Sequence, residues 1–165
     1  MKLSNDWEVA LIMIVIKSPH TREEFKAYYA MRYCVLREPL GLPKGTEKDD
    51  YEPLSEHFMA VDDENGEILG VVKMYQRETG VAQFSHLAVS PDHQGRGVGR
   101  LLVNYLEGRA RELGYKSMGT TTRASATGFY ERCGYRVTGI ASPLFGRLQI
   151  LWMDKVLEIT EDTNK

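Results

Sequence analysis

The stretch Leu87–Arg100 (LAVSPDHQGRGVGR) constrains this chain more than any other. A strand candidate, Val81–Val89, ends there, and glycines follow at positions 95, 97 and 99. Leu101, Leu102, Tyr105, Leu106, Ala110 and Leu113 then recur at helical spacing. Strand, glycine-rich loop and amphipathic helix thus follow in direct succession. The first N–H groups of a helix have no partner within it and point outward, so such a start favours an anion, above all a phosphate. Glycines let the backbone approach that anion with no Cβ in the way. Arg96 and Arg100 add positive charge where the helix dipole alone disfavours it, and a bound polyanion gives a reason for them. The spacing is not that of a P-loop, since no Lys-Ser or Lys-Thr follows. Nor is it GxGxxG, and no acidic residue ends a following parallel strand as a dinucleotide site requires. A tight turn with no ligand is the plain structural alternative.

Composition bounds what surrounds this loop. The chain has 165 residues, 21 Lys+Arg and 23 Asp+Glu, for a formal charge of −2. That length suits one domain with a core that folds unaided. The near-neutral balance argues against a nucleic-acid-coating protein, and 42% hydrophobic residues argue against a disordered chain. Two cysteines, Cys34 and Cys133, make neither a disulfide scaffold nor a Cys-rich zinc site, and no metal is expected. Val9–Ile16 is far short of the roughly 20 apolar residues that span a bilayer. Asp6 and Glu8 precede it and no small-x-small site follows, so it reads as a buried strand rather than an export signal. The expected location is the cytoplasm, with no membrane partner. The pattern reads equally well from Met13, which leaves residues 1–12 as a candidate upstream extension, and residues 159–165 read as a frayed tail.

Turn signals divide the rest. Thr21 with Glu24 fits a capping box for a helix running to about Arg37. Pro39, Gly41, Pro43 and Gly45 then break the chain, and the acidic segment 46–56 is expected to be mostly loop. His57–Val61, Glu67–Tyr75 and Val81–Val89 read as strands of an antiparallel meander, the first turn carrying Asn65-Gly66. After the helix over 98–113 come a strand at Tyr115–Thr122 and a helix at Ser125–Cys133, which Gly134 stops. Tyr135–Ala141 and Leu148–Val156 read as closing strands, with Pro143 and Gly146 between them. The order β-α-loop-β-β-β-α-β-α-β-β predicts a single α/β (α+β) domain over 1–165. Its central sheet should be mixed, mostly antiparallel and flanked by helices.

Gln94-Gly95-Arg96-Gly97-Val98-Gly99 resembles the Q/R-x-x-G-x-G/A signature of the GNAT acetyltransferase superfamily. Phe129-Tyr130-Glu131-Arg132-Cys133-Gly134-Tyr135 resembles that family's second block, FYExxGF, with Ala126 as its usual upstream alanine. The blocks stand in the family's order, and the resemblance covers about residues 57–156. It implies a GNAT fold and an N-acetyltransferase that moves an acetyl group from acetyl-CoA to a primary amine, by direct attack in a ternary complex. Residues 94–100 would hold the cofactor pyrophosphate. Two strands would splay near Leu87, Ala88 and Val89, where the pantetheine arm pairs with the exposed edge. A backbone N–H of Leu87 or Val89 would stabilise the oxyanion. Ala126 and Phe129 join that cofactor site, and Arg123, where many members have Asn, is a candidate contact to the cofactor or to an acidic acceptor group.

The same resemblance makes Tyr130 the candidate general acid, its hydroxyl beside the cofactor sulfur. A Lys-type amine has a pKa of about 10.4, so a base or a water chain must take its proton. Many members carry a strand Glu before the glycine loop, but here Gln83-Phe84-Ser85-His86 holds no carboxylate. His57 and His86 are therefore the candidate bases, with Glu38 or Glu56 acting through water as alternatives. Cys34 is expected to be buried, Cys133 to be a packing residue, and His20 and His93 to face solvent. The acceptor is a small-molecule or protein amine of open identity. A homodimer through an edge strand near 135–156 is an expectation by analogy alone. A non-catalytic acyl-CoA sensor is the rival reading, and a nucleotide-binding fold using the same loop is a third. Glu47, Asp49, Asp50, Glu52 and Glu56 crowd the acceptor-side loop. That segment is either a solvated acidic loop or one that draws in a cationic amine.

Overall fold

The protein is described by a computed structural model covering residues 13–158. The expected extension at 1–12, the part of the first strand at 9–12, and the tail at 159–165 lie outside the described residues. Strand β1 (Ile14–Lys17) leads to helix α1 (Arg22–Leu36), and a long loop follows with 3₁₀ turns at Glu38–Leu40 and Glu52–Leu54. β2 (Glu56–Asp62), β3 (Ile68–Glu78) and β4 (Val81–Val89) form the meander, then comes α2 (Val98–Glu112). β5 (Ser117–Arg123), α3 (Thr127–Arg132), β6 (Arg136–Leu144) and β7 (Leu148–Val156) complete the chain. All seven strands form one sheet in the order β1-β2-β3-β4-β5-β7-β6. Every neighbouring pair is antiparallel except β4 and β5, which run parallel. This is the mixed, mostly antiparallel sheet that the sequence predicts. Among the described residues no helix is long and apolar enough to cross a membrane.

Alternation along the strands feeds two cores. Leu69, Val72, Phe84 and Met118 join Val98, Leu102, Leu106 and Ala110 of α2 on one face. Met59, Val61, Val71 and Ala88 meet Tyr28 on the other, with Phe25, Met31 and Val35 of α1 packed around them. α1 starts on Thr21, whose hydroxyl accepts from the Glu24 N–H at 3.0 Å. The Glu24 carboxylate turns to Lys17 at 3.4 Å, so only half of the expected capping box forms.

Boundaries shift by a few residues from the sequence reading, and one shift has a clear cause. Pro143 lies inside β6 rather than between the last two strands. β6 is the sheet edge, where a missing N–H breaks no ladder bond. Cys34, expected to be buried, is exposed on α1, whereas Cys133 is buried as expected.

The loop after α1 is fixed to the α1 face of the sheet by charge. Lys73 of β3 is wholly buried, and its ammonium bonds to both Asp49 and Glu52, the latter at 2.6 Å. The other Glu52 oxygen accepts from Arg32 of α1 at 2.5 Å, and Arg32 is also wholly buried. Arg32 further donates to the Tyr28 hydroxyl at 2.6 Å and to the Glu47 carbonyl at 3.2 Å. At Asp49 and Glu52 the acidic segment is therefore not free, solvated negative charge. Asp49 and Glu52 are matched by Lys73 and Arg32, cations that only the fold brings near. Burial pushes the Glu52 carboxyl up, but the Lys73 hydrogen bond and the Arg32 charge outweigh it and hold the pKa at about 2.

Removing one member of a buried ion pair costs about 3–5 kcal/mol, so Glu52→Gln should lose roughly that much stability at pH 7. The folded pKa lies below the ordinary value of 4.5, so the ion pair's contribution is full above that pH and fades as pH falls toward 2. Urea unfolding should show the gap between wild type and Glu52→Gln closing over that window. A gap that is absent at pH 7, or that persists undiminished at pH 2, contradicts this account.

Candidate active site

β4 and β5 pair over three residues only, Val81–Gln83 against Ser117–Gly119. Beyond this the strands diverge, and the Thr120 hydroxyl donating to the Phe84 carbonyl at 2.9 Å staples the fork. A cleft of about 610 Å³ opens past that point, lined by His86, Leu87, Thr121, Arg123, Ala126 and Tyr130, among others. The splay expected near Leu87–Val89 is present, and it begins earlier, just after Gln83.

A bulge shapes the β4 side of the cleft. The β3–β4 register slips between the pairs Lys73–Ser85 and Val71–Ala88, and His86 sits there with φ of 55°. A non-glycine residue in the left-handed region costs free energy, and bulges re-aim side chains toward sites. Past the bulge the ordinary alternation returns. The Ser90 N–H donates to the Leu69 carbonyl at 2.8 Å, so the Ala88 N–H faces β3 as well. The N–H groups of Val89 and Leu87 then face the other way, toward the gap that β5 has left. Ala88, expected among the cofactor contacts, has its side chain buried in the α1-face core.

The glycine loop continues from this edge. Gly95 and Gly97 have φ of 76° and 84°, and a Cβ at either would meet no atom within 4 Å. Both glycines are therefore required by backbone conformation, and the space above them is open. Gly97 is the N-cap of α2, so the N–H groups of Val98, Gly99 and Arg100 lie in its unpaired first turn. Arg96 and Arg100 are exposed. Gly99 has a different cause: a Cβ there would lie 3.1 Å from the Phe129 ring and 3.6 Å from Val89. It is the contact that lets α3 close on α2. Gln94 donates to the Val89 carbonyl at 3.1 Å, tying the loop to the strand end. His93, expected to face solvent, is half-buried, and its Nδ1 has no partner.

Tyr130 lines the cleft, its ring 5.0 Å from Phe129 and 5.9 Å from Phe84. Burial pushes its phenol well above the ordinary 10, so it stays protonated and able to donate.

The two histidines part company. His57 points at α1, away from the cleft, and both ring nitrogens are engaged: Nδ1 with the Tyr28 hydroxyl at 2.9 Å and Nε2 with the Glu52 carbonyl at 3.0 Å. A carbonyl only accepts, so Nε2 carries the proton. Burial, with the Arg32 and Lys73 charges, lowers its pKa. The structure thus gives His57 a place among α1, β2 and the loop rather than at the cleft. His86 does reach the cleft, with the Arg37 Nη2 at 3.4 Å from its Nε2 and Ser85 Oγ 3.0 Å from its Nδ1. Burial first, then Arg32, Lys73 and Arg37, bring its pKa down to about 3. It is a neutral ring at working pH.

Several cleft residues were not singled out from the sequence. Tyr51 and Tyr75 stack with ring centroids 4.4 Å apart and planes 15° from parallel, beside Asp49, the carboxylate of the lining, which the sequence did single out within the acidic segment. Arg37, Gln83 and Trp152 complete the far wall. No local signal marks them, because each comes from a different element. Glu56, weighed as a water-mediated base, instead pairs with Arg109 of α2 at 2.8 Å, and Glu38 is exposed outside the cleft.

Comparison with known proteins agrees with this arrangement. The model of the Acetyltransferase (GNAT) family matches residues 19–135. A Bacillus subtilis (strain 168) protein, named Uncharacterized N-acetyltransferase YjcF, is 28% identical over 115 residues, which is 70% of this chain and 80% of that one. A Lactobacillus plantarum structure, solved as a candidate N-acetyltransferase, superposes with a TM-score of 0.77 at 23% identity, covering 88% of this chain and 99% of the other. An aminoglycoside 6′-N-acetyltransferase complexed with coenzyme A superposes with a TM-score of 0.73 at 17% identity, covering 92% and 100%. The forked sheet, the glycine-capped helix and the family match together place this chain in the GNAT acetyltransferase family, as an acyl-CoA-dependent N-acyltransferase.

Proposed function

We propose that the enzyme transfers an acetyl group from acetyl-CoA to a primary amine held in the cleft, by direct attack in a ternary complex. The observation that carries this reading is the fork: β4 leaves β5 after three pairs, and a strand edge faces the gap one step from the open glycine loop. The N–H groups of Leu87 and Val89 suit an extended amide-bearing arm, which would pair there as an added strand. The first turn of α2, with Arg96 and Arg100, suits the pyrophosphate. Arg123 and Ala126 border the same cleft. The acetyl thioester supplies the electrophilic carbon, and a coenzyme A complex of a protein with this fold supports that choice of donor.

Around that carbon the chain supplies a donor and a proton route. Tyr130 holds a proton at its phenol oxygen and gives it to the leaving thiolate. His86 is not the base in this reading, since Arg37 occupies its Nε2 and its pKa is near 3. Asp49 takes that part through water: Oδ1 accepts from Lys73 and from the Tyr51 N–H, and Oδ2 lies 4.0 Å from the His86 ring. His57 serves to position the loop that carries Asp49. The rival reading, an acyl-CoA sensor without turnover, gains nothing from a buried, protonated tyrosine at the fork.

Thiol release from acetyl-CoA over an amine panel tests the reading, and tight binding without turnover on any amine would favour the sensor. Tyr130→Phe should lower kcat at least ~10-fold with little change in acetyl-CoA affinity, the usual worth of a general acid. Unchanged turnover removes Tyr130 from the mechanism. Asp49→Asn should lower kcat by a similar factor, whereas His86→Gln should leave the shape of the pH–rate profile between pH 6 and 9 unaltered. An inflection near pH 6.5 that disappears in His86→Gln would restore that histidine as the base.

A further inference from the structure

The charges along the cleft wall do not balance. Asp49 is its carboxylate, and Lys73 already matches it. Arg123 and Arg37 also line the cleft, and neither has a carboxylate within 4 Å among the described residues. Arg123 is exposed at the end of β5, on the side expected to receive the cofactor. Arg37 is different: it is 8% exposed, a guanidinium with no carboxylate in contact, on which Glu47 and Asp49 act only from beyond 4 Å. Burying an unpaired charge is costly unless something compensates it.

The surroundings of Arg37 hold it rigidly and leave part of it unused. Its Nε donates to the Thr46 carbonyl at 2.9 Å, Nη1 to the Leu36 carbonyl at 3.2 Å, and Nη2 approaches the His86 Nε2 at 3.4 Å. Its carbon lies 5.2 Å from the Phe145 ring, at the tip of the β6–β7 hairpin. Those contacts use three of the five N–H donors of a guanidinium, leaving one on each terminal nitrogen. Two free donors on adjacent terminal nitrogens match the two oxygens of a carboxylate. On the other side of the His86 ring stands Asp49, its Oδ2 4.0 Å from Nδ1. A fixed cation and an anion thus flank one neutral imidazole within a single cleft.

We propose that the acceptor is an amine that also carries a carboxylate, an amino-acid-like zwitterion, with Arg37 receiving the carboxylate and Asp49 facing the amine. This deepens the transferase reading and rests on it. The acidic segment then does not attract cations in general. Two of its charges, Glu52 and Asp49, are matched by Arg32 and Lys73, and the guanidinium with no carboxylate in contact selects an acid. The positive surroundings that keep His86 neutral point the same way.

The test is thiol release from acetyl-CoA with α-, β- and γ-amino acids, each paired with its primary amide. The amide's amine is the less basic of each pair and so more fully neutral at pH 7.5. Bare reactivity therefore favours the amide, and a preference for the acid must come from recognition. At least one acid should exceed its amide in kcat/KM by roughly 10-fold or more, the worth of a charge-assisted contact. Arg37→Gln should collapse that ratio toward one by raising KM for the acid, with KM for acetyl-CoA unchanged, and Arg37→Lys should restore part of it. The ratio in the wild-type enzyme decides the matter even if a variant folds poorly. Acid and amide within about 3-fold of each other across the panel, or a ratio that Arg37→Gln leaves intact, overturns the inference while the transferase reading stands. Absence of thiol release with every amine overturns both.

Discussion

The geometry of this enzyme depends on a pairing that stops. β4 and β5 are parallel, and parallel neighbours usually stay paired along their length, but here the ladder ends after Gln83 and Gly119. The Thr120 hydroxyl holds the crotch of the fork by taking the Phe84 carbonyl, so the divergence has a fixed origin. Beyond it, β4 still bonds to β3 on one side and presents unpaired backbone groups on the other. An unpaired edge inside a domain is a liability unless something fills it. In the proposed function the acyl-CoA arm fills it.

Two helices convert the fork into a site. α2 begins where β4 ends, so its open first turn lies at the mouth of the gap. α3 follows β5 and lies against α2 through Phe129 on Gly99, and the next residue, Tyr130, faces the cleft. The packing contact and the chemical group are thus one residue apart, and loss of Gly99 would shift both. On the opposite face, the chain between α1 and β2 is tied down by Lys73, Arg32, Glu52 and Asp49. That network fixes the loop wall of the cleft to the sheet. It also matches two of the carboxylates, Asp49 and Glu52, that the segment presents when read as a string.

The legible parts of this molecule are those with local periodicity or local backbone demands. The three meander strands, the α2 stripe and the positive-φ glycines of the loop depend on residues close in sequence, and they stand where the sequence predicts. The fold class was legible for the same reason, with the ordered pair of motifs fixing the family. The wall of the cleft built by the loop after α1 was not. Lys73 meets Asp49 and Glu52 across more than 20 residues, and Arg32 meets Glu52 across 20. No window of sequence contains such a pair. His57 and His86 looked alike as strand histidines, and only a bulge and a neighbouring hydroxyl distinguish them. Pro143 looked like a break because the sequence does not reveal which strand lies at the edge.

In the proposed function, the strand edge left open by the fork is what holds the acyl-CoA arm. Amide hydrogen exchange at single residues, followed as acetyl-CoA is added, tests it most directly. Leu87 and Val89 should gain protection on binding. Ala88 and Ser90, whose N–H groups already face β3, should change little. Protection confined to the glycine loop at 95–99, with Leu87 and Val89 exchanging as before, would contradict the claim.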